Sequence, residues 1–435
     1  MQPRYRTLLK RLQRESFQYF LHYYNPDTGL VADKSKTGSP ASISVTGMAI
    51  SVFISGIEEG LISREDARQR ISTTLRFLYA AEQSTSSKAT GYKGFYYHFL
   101  HMETGERFGN TELSTVDTAF FIAGVLSAAV YFNANTKEEN ELRDLAQKLY
   151  RRINWQWACN KGLTITHGYK PKSGFLEYRW NKEYSEAILL YVLALASPDY
   201  PVNPEGYLLW QETFKMTEAY GINYLYAGPL FIHQLSHLWI DFREIQDTFN
   251  QKHGLDYFEN SKRATFVHQA YAINNPKKFE RYGKVCWGLT ACDGPGNKSR
   301  QIGGTKRKFY GYKARGAPYG PDDGTLAPWA VLASLPFAPE IVMETTEAFI
   351  NHFNLNNNKD LGIEASFNPS FPVKNKNADA WVEEYRFGLN QAPIVLMIAN
   401  YENDFLWKLM RQCPYIISGL EKAGFAGGWL AEGGG

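Results

Sequence analysis

The chain is poor in cysteine and has no long apolar run. Its four cysteines, Cys159, Cys286, Cys292 and Cys413, are scattered over 435 residues. They form no zinc pattern, and the Cys286 to Cys292 interval is wrong for a CxxC redox motif. They neither require an oxidising compartment nor exclude one. No stretch reaches the ~20 apolar residues of a transmembrane helix. With 47 basic and 44 acidic residues the net charge is +3, so no strong field favours nucleic acid or an anionic membrane. The basic cluster Lys306-Arg307-Lys308 falls in a glycine-rich loop and reads as a solvated tip. There is no GxxxxGK followed by Ser or Thr, no GxGxxG after a strand and no GxSxG elbow. Nucleotide binding and serine-hydrolase chemistry therefore have no motif to rest on.

Aromatic residues are abundant: 28 Tyr, 27 Phe and 10 Trp. Many stand in polar or glycine-rich stretches, where flat apolar faces with a polar rim suit stacking on sugar rings as well as core packing. The chain is organised around GFLEYRWNKEYSEAILLYVLALASP (174–198). Residues 187–196 are all apolar, counting Tyr191, so a helix there must be buried on nearly all sides. Glu183 and Glu186 stand directly before it among Tyr178, Trp180 and Tyr184, which points to a pocket at its N-terminal end.

Periodicity predicts two kinds of helix in alternation. Amphipathic ones are expected at about 5–24, 66–82, 138–158, 206–220, 261–276, 340–354 and 403–423. Apolar ones are expected at about 42–57, 115–131, 185–196, 228–241, 325–336 and 388–400. Six inner helices shielded by outer ones predict an all-α (α/α)6 toroid that occupies residues 1–435 as a single domain. Residues 91–109 read as a β-hairpin with its turn near Thr104-Gly105. Residues 281–324, with ten glycines, read as a long binding loop or lid. The opening MQPRYRTLLKRLQRESFQYF reads as an amphipathic helix rather than a secretory leader, because no apolar segment follows its charges.

Polar residues collect at the start of each inner helix: Ser42 and Ser44, Glu112 and Asp117, Glu183 and Glu186, His233 and His237, Asp322 and Asp323, Asn390 and Gln391. Inner helices that run in one direction would bring these starts to one mouth, where helix dipoles and free N–H groups meet hydroxyls and anions. Ordinary capping explains one or two such sites. His233 and His237 are four apart, which invites a metal reading. Gln234 replaces the Glu of HExxH and no third ligand is evident, so no metal is expected and hydrogen bonding to substrate or core is. Carboxylates among aromatics are what glycosidic cleavage needs: a protonated acid for the leaving oxygen, and an ionised group to activate water or attack. Glu186 is the choice for the acid, because burial can raise a carboxyl pKa by up to ~3–5 units, more than a helix N-terminus lowers it. Asp117 is the second group or a hydroxyl ligand. Glu112, Asp241, Asp322, Asp323, Glu383 and Glu384 are further candidates.

Six longer runs make the reading specific: GFYYHFLHMETGERFGNTELSTVDTA (94–119), YSEAILLYVLALASP (184–198), GPLFIHQLSHLWIDFR (228–243), CWGLTACDGP (286–295), KARGAPYGPDDGTLAPWAVLASLPFAPE (313–340) and FGLNQAPIVLMIANY (387–401). In these the chain resembles the bacterial glucoamylase-like family that includes glycoside hydrolase family 144, the β-1,2-glucanases. The resemblance implies an (α/α)6 barrel, no cofactor, and inverting hydrolysis of β-1,2-glucan or its oligosaccharides, endo-acting or sophorose-releasing. It implies a carbohydrate partner, a monomer, and no membrane or nucleic acid. It favours a periplasmic or secreted location, with the cytoplasm left open. Glu112, Asp117 and Glu186 fall on the family's acidic cleft positions, with Glu186 near the scissile bond. Trp287, Asp293, Arg315, Asp322 and Asp323 fall in what looks like its substrate loop. Where relatives read IDQGP with a later Glu, this chain has Asn390, Gln391 and Ala399. Asn390 cannot accept a proton, which keeps open a non-catalytic sugar-binding relative. Another glucan linkage, or transglycosylation, is the third possibility.

Overall fold

Helices that are buried on every side form the inside of the molecule, and amphipathic ones cover them. The computed structural model describes residues 3–353, 355–356, 360–373 and 380–432. The helices Ile43–Glu58, Thr115–Tyr131, Ile188–Ala196 and Gly388–Asn403 have almost no solvent-facing side, as their predominantly apolar sequences require. Outside them lie Pro3–His22, Arg64–Ala80, Lys137–Arg151, Tyr257–Asn274 and Pro339–His352. Three of these begin with a Ser, Thr or Asp cap and an acid three residues on: Ser63 with Asp66, Thr136 with Glu139, and Asp256 with Glu259. That pairing satisfies orphan N–H groups and fixes where each helix starts. A continuous hydrophobic core runs through the helices from Leu9 to Phe425.

The closest inner crossing depends on two glycines. A Cβ on Gly124 would lie 1.9 Å from the Gly47 carbonyl oxygen, and one on Gly47 would lie 2.1 Å from Phe121 Cα. The 43–58 and 115–131 helices thus touch backbone to backbone, and a methyl group at either position would push them apart. Ser51 and Ser127 share a hydrogen bond of 2.9 Å across the same seam.

The structure departs from the periodicity in several places. Residues 228–241 were expected to be one helix but form two 3-10 turns, Leu230–His233 and Leu235–Leu238, because Gln234 breaks the path at φ −124°. Residues 325–336 hold only a five-residue helix, Pro328–Leu332, started by proline at its first position. The 206–220 helix stops at Gln211. After it, Met216–Ala219 pairs with Ile222–Leu225 around Tyr220-Gly221, both at positive φ, the conformation that tight hairpins need. The 403–423 helix splits before Pro414 into Phe405–Met410 and Pro414–Lys422. Within 91–109 the turn falls at Gly105 (φ +70°), with Leu100 bridged to Arg107. The 281–324 stretch is not structureless: Ala291–Cys292 pairs with Lys313–Ala314, and between them Lys298–Ile302 pairs with Thr305–Phe309. The molecule is mostly helical, with small two- and three-stranded antiparallel sheets between the helices.

Candidate active site

Helix starts, together with the strands at 99–100 and 291–292, border a cavity of about 510 Å³ lined by Asp33, His98, Asp117, Glu186, Asp293 and Asn390 among aromatic side chains. Asp117 is the third residue of its helix. Ser114 caps that helix by accepting from the Asp117 N–H at 3.3 Å, and its hydroxyl donates to Asp117 Oδ2 at 2.5 Å. Asn390 is likewise the third residue of the 388–403 helix. Glu186 lies two residues before the 188–196 helix. Ser236, on the second 3-10 turn, holds that entry: its hydroxyl donates to the Glu186 carbonyl at 2.9 Å and accepts from the Leu189 N–H at 3.3 Å. Asp293 and Tyr312 flank the same end of the 291–292/313–314 strand pair, one from each strand. The aromatic wall comprises Phe99, Phe120, Phe231, Tyr312, Trp329 and Phe387.

Electrostatics divide the acids into two sets. Burial pushes the Glu186 carboxyl up to about 7, helped by the Asp117 charge and opposed by its own backbone N–H. Desolvation wins over the hydrogen bond because the cavity wall is aromatic and aliphatic. Asp33 is raised to about 6, again by burial first, with Lys34 and His98 opposing and Asp293 and Asp117 adding. His98 goes the other way. Burial lowers an imidazole, but Asp117, Glu112 and Asp33 together overcome it and lift His98 to about 9. Its Nδ1 lies 3.1 Å from Glu112 Oε1 and its Nε2 lies 3.7 Å from Asp117 Oδ2, with the ring stacked on Phe99 at 4.1 Å. The Ala41–Ser42 and Phe99–Leu100 strand pair fixes this segment, and the His98 N–H donates to the Glu112 carbonyl at 2.9 Å. Glu112 is lowered, chiefly by its hydrogen bond to His98.

Of the residues singled out from the sequence, the structure brings Glu186, Asp117, Asp293 and Asn390 onto one cavity, with Glu112 behind His98. The others lie elsewhere. His233 and His237 are buried on separate 3-10 turns, facing the Ala227 carbonyl and the Ser261 hydroxyl. Burial lowers them to about 4 and about 3, so both are neutral imidazoles of the core. Trp287 is fully buried and donates to Thr345 Oγ1. Arg315 and Asp323 pair with each other out of reach of solvent, and Asp322 accepts from the hydroxyls of Tyr271 and Tyr282. Gln391 bonds Ser16 and the Ile363 carbonyl. Trp180 donates to Thr115 Oγ1 and stacks on His167, while Tyr178 is 72% exposed and off the cavity. Ala399 is buried further along the 388–403 helix, roughly 13 Å of rise beyond Asn390. Asp241 is held by Arg243 and Arg411. Asp33, His98 and Tyr312 were not among the sequence candidates.

The arrangement provides a carboxyl protonated near neutrality, several carboxylates and an aromatic wall around one cavity. The Glycoamylase family model matches residues 177–414, and the chain belongs to that family. It is similar to the exo β-1,2-glucooligosaccharide sophorohydrolase (non-reducing end) of Parabacteroides distasonis, at 27% identity over 459 residues, covering 95% of this chain and 57% of that protein. The chain therefore spans a little over half the length of that curated relative. Among solved structures it is similar to the endo-β-1,2-glucanase from Chitinophaga pinensis complexed with sophorotriose and glucose, with a TM-score of 0.85 at 25% identity over 98% of this chain and 99% of that one. It is also similar to a β-1,2-glucanase from Parabacteroides distasonis, with a TM-score of 0.82 at 25% identity, covering 97% of this chain and 60% of that one. No helix among the described residues is long and apolar enough to cross a membrane.

Proposed function

We propose that the chain is a glycoside hydrolase acting on β-1,2-linked glucan or its oligosaccharides, with Glu186 as general acid and Asp117 as the group that activates water. The observation that carries this reading is Glu186 itself, a carboxyl held up to about 7 on a cavity it shares with Asp117. The β-1,2-glucan specificity named for the relatives supports the choice of substrate. Glu186 donates its proton to the bridging oxygen as the C1–O bond breaks. Asp117 takes a proton from water, whose oxygen attacks C1 from the opposite face and inverts the anomeric centre. Glu186 is then ionised and Asp117 protonated, and exchange with solvent resets both. His98, with Glu112 behind it, is a positioning residue that orients the Asp117 carboxylate. The inner helices, the two 3-10 turns and the 328–332 helix follow the order of an (α/α)6 ring, which we infer for the chain as one domain and a monomer.

The test is incubation with linear β-1,2-glucan. Sophorose or short oligosaccharides are expected from the wild type, with inverted anomers in the first products by NMR, and none from Glu186→Gln at unchanged circular dichroism. Activity retained in the Gln variant would remove Glu186 from this role. Asn390 on the cavity wall favours one second reading, a sugar-binding relative that does not turn over. Calorimetric binding of sophorotriose by a wild type that forms no product would select it. Product from β-1,3- or α-1,4-glucan instead would mean another linkage.

A further inference from the structure

The segment that leaves the cavity wall after Asp293 and returns at Tyr312 has no part in the proposed reaction, yet with its continuation to Pro321 it is basic throughout. Residues 294–321 hold seven Lys or Arg and no Asp or Glu, while the chain as a whole is only +3. Arg315 is internal and neutralised by Asp323. The other six, Lys298, Arg300, Lys306, Arg307, Lys308 and Lys313, form no ion pair among the described residues. Their register makes this costly: Arg300 stands directly opposite Arg307 on the paired strands, and like charges in that relation destabilise a hairpin. Rings hold these cations without neutralising them. Lys298 and Arg300 each lie 5.8 Å from the centre of Phe371, and Lys308 and Lys313 lie 5.3 and 5.7 Å from that of Tyr310. Arg307 lies 4.8 Å over Phe279 and donates to the carbonyls of Lys277 and Lys278, which adds two more cations beside it.

We propose that this hairpin is a second binding surface, one that takes anionic substituents carried by the same glucan whose neutral sugars fill the cavity. The inference rests on the cavity being a glucan site. Three features point to this occupant. Both roots of the hairpin are in the cavity wall, through Cys292 and Asp293 on one side and Tyr312 on the other. Lys313 follows Tyr312 directly, and Lys308 and Lys298 stand four and five residues from Tyr312 and Asp293, within about 18 Å of the cavity wall even at full extension. The cavity holds cations only as Lys34 and the His98 ring, which faces Glu112 and Asp117, beside the acids Asp33, Asp117 and Asp293, so an anionic substituent finds more unpaired positive charge on the hairpin than in the cavity. Holding one part of a polymer beside the cleft raises the effective concentration of the rest, and a field of opposite sign speeds encounter.

The experiment compares unsubstituted linear β-1,2-glucan with the same glucan lightly carboxymethylated, at low and at high salt. The enzymes are the wild type and the Lys298→Ser/Arg300→Ser/Lys306→Ser/Lys308→Ser variant. The expected result is a wild-type kcat/KM about tenfold higher on the anionic glucan at low salt. The gap closes at about 0.5 M NaCl, where the screening length falls to a few ångströms, and it closes in the variant, whose rate on neutral glucan is unchanged. Equal rates on the two glucans, or a gap that survives the four substitutions, would overturn the proposal. So would wild type that pellets with phosphatidylglycerol vesicles but does not discriminate between the glucans, which would make the strip a membrane surface. If neither glucan is cleaved, the hydrolase reading has failed instead. Affinity electrophoresis then decides the strip alone: anionic glucan must retard the wild type and not the variant.

Discussion

Arg315 meets Asp323 with both side chains sealed from solvent, its Nε 2.7 Å from Oδ1 and its Nη2 2.9 Å from Oδ2. The pair is a clamp on the cavity loop. Arg315 also donates to the carbonyls of Cys292 and Gly311, and Asp323 accepts from the Tyr310 N–H. Asp293 and Tyr312 are neighbours of those groups, so the clamp sets where both stand. Arg315→Met and Asp323→Ala each leave one buried charge without a partner and are expected to lose about 3–5 kcal/mol. The double variant Arg315→Met/Asp323→Ala is expected to lose clearly less than the sum. Chemical denaturation of the four proteins checks this, and additive losses would show that the two residues act separately.

His98 carries a different expectation, because its partners raise it. With a folded pKa of about 9 against 6.5 for a free imidazole, its contribution to stability is complete below about pH 6.5 and is lost as the pH climbs through 9. His98→Gln removes that dependence and leaves Glu112, Asp117 and Asp33 without the cation between them. Its kcat is expected to fall about tenfold to a hundredfold with KM little changed. Its thermal midpoint should no longer decline between pH 7 and 9.5 by the extra step seen in the wild type. A variant that loses stability at all pH values equally, with kcat intact, would mean that His98 only packs.

How much of this the sequence disclosed follows from the physics of each element. Helices apolar on every face, 43–58, 115–131, 188–196 and 388–403, were legible because nothing but burial satisfies such a pattern. The 228–241 segment was not, since an apolar run does not distinguish an α-helix from two 3-10 turns, and Gln234 alone marks the break. The 216–225 hairpin had a signal that the helical reading passed over: Tyr220-Gly221 between alternating residues. For the site, polar residues at helix starts led to Glu186, Asp117 and Asn390, and the family resemblance led to Asp293. His98 stood in an aromatic strand with Glu112 fourteen residues on, across a turn, and no periodicity joins such a pair. Arg315, Asp322 and Asp323 were named as ligands because they fall in what looks like the family's substrate loop. Only coordinates show that they face protein partners.

Glu186 ties activity to instability. Its native pKa of about 7 against 4.5 for a free glutamate means that the folded protein binds this proton more tightly than the unfolded chain does. Stability from this group is therefore unaffected below about pH 4.5, falls as the pH rises to 7, and stays reduced above it, by up to roughly 3 kcal/mol. Glu186→Gln is expected to be inactive and, at pH 8.5, more stable than the wild type, with the difference shrinking towards pH 5. Denaturation curves at the two pH values measure it. A Gln variant equally stable at both would mean that the carboxyl is not held in its protonated form.

Asn390 separates the two accounts of the base. It stands on the cavity with Asp117 and Glu186, and an amide cannot take a proton from water. If Asp117 activates the water, Asn390→Asp merely adds a fourth carboxylate to Asp33, Asp117 and Asp293. The new like charge then makes Glu186 harder to ionise. The expected outcome is a kcat within about threefold of the wild type at pH 6, and an alkaline limb of the rate profile displaced upward by about half a pH unit. A gain of about a hundredfold in kcat would instead give position 390 the base and leave Asp117 as a hydroxyl ligand. The unchanged chain would then be a binder whose turnover was lost by exchanging one oxygen for a nitrogen. A pH–rate profile of the single variant on sophorotriose decides between them, because the first account moves the limb and the second moves the plateau.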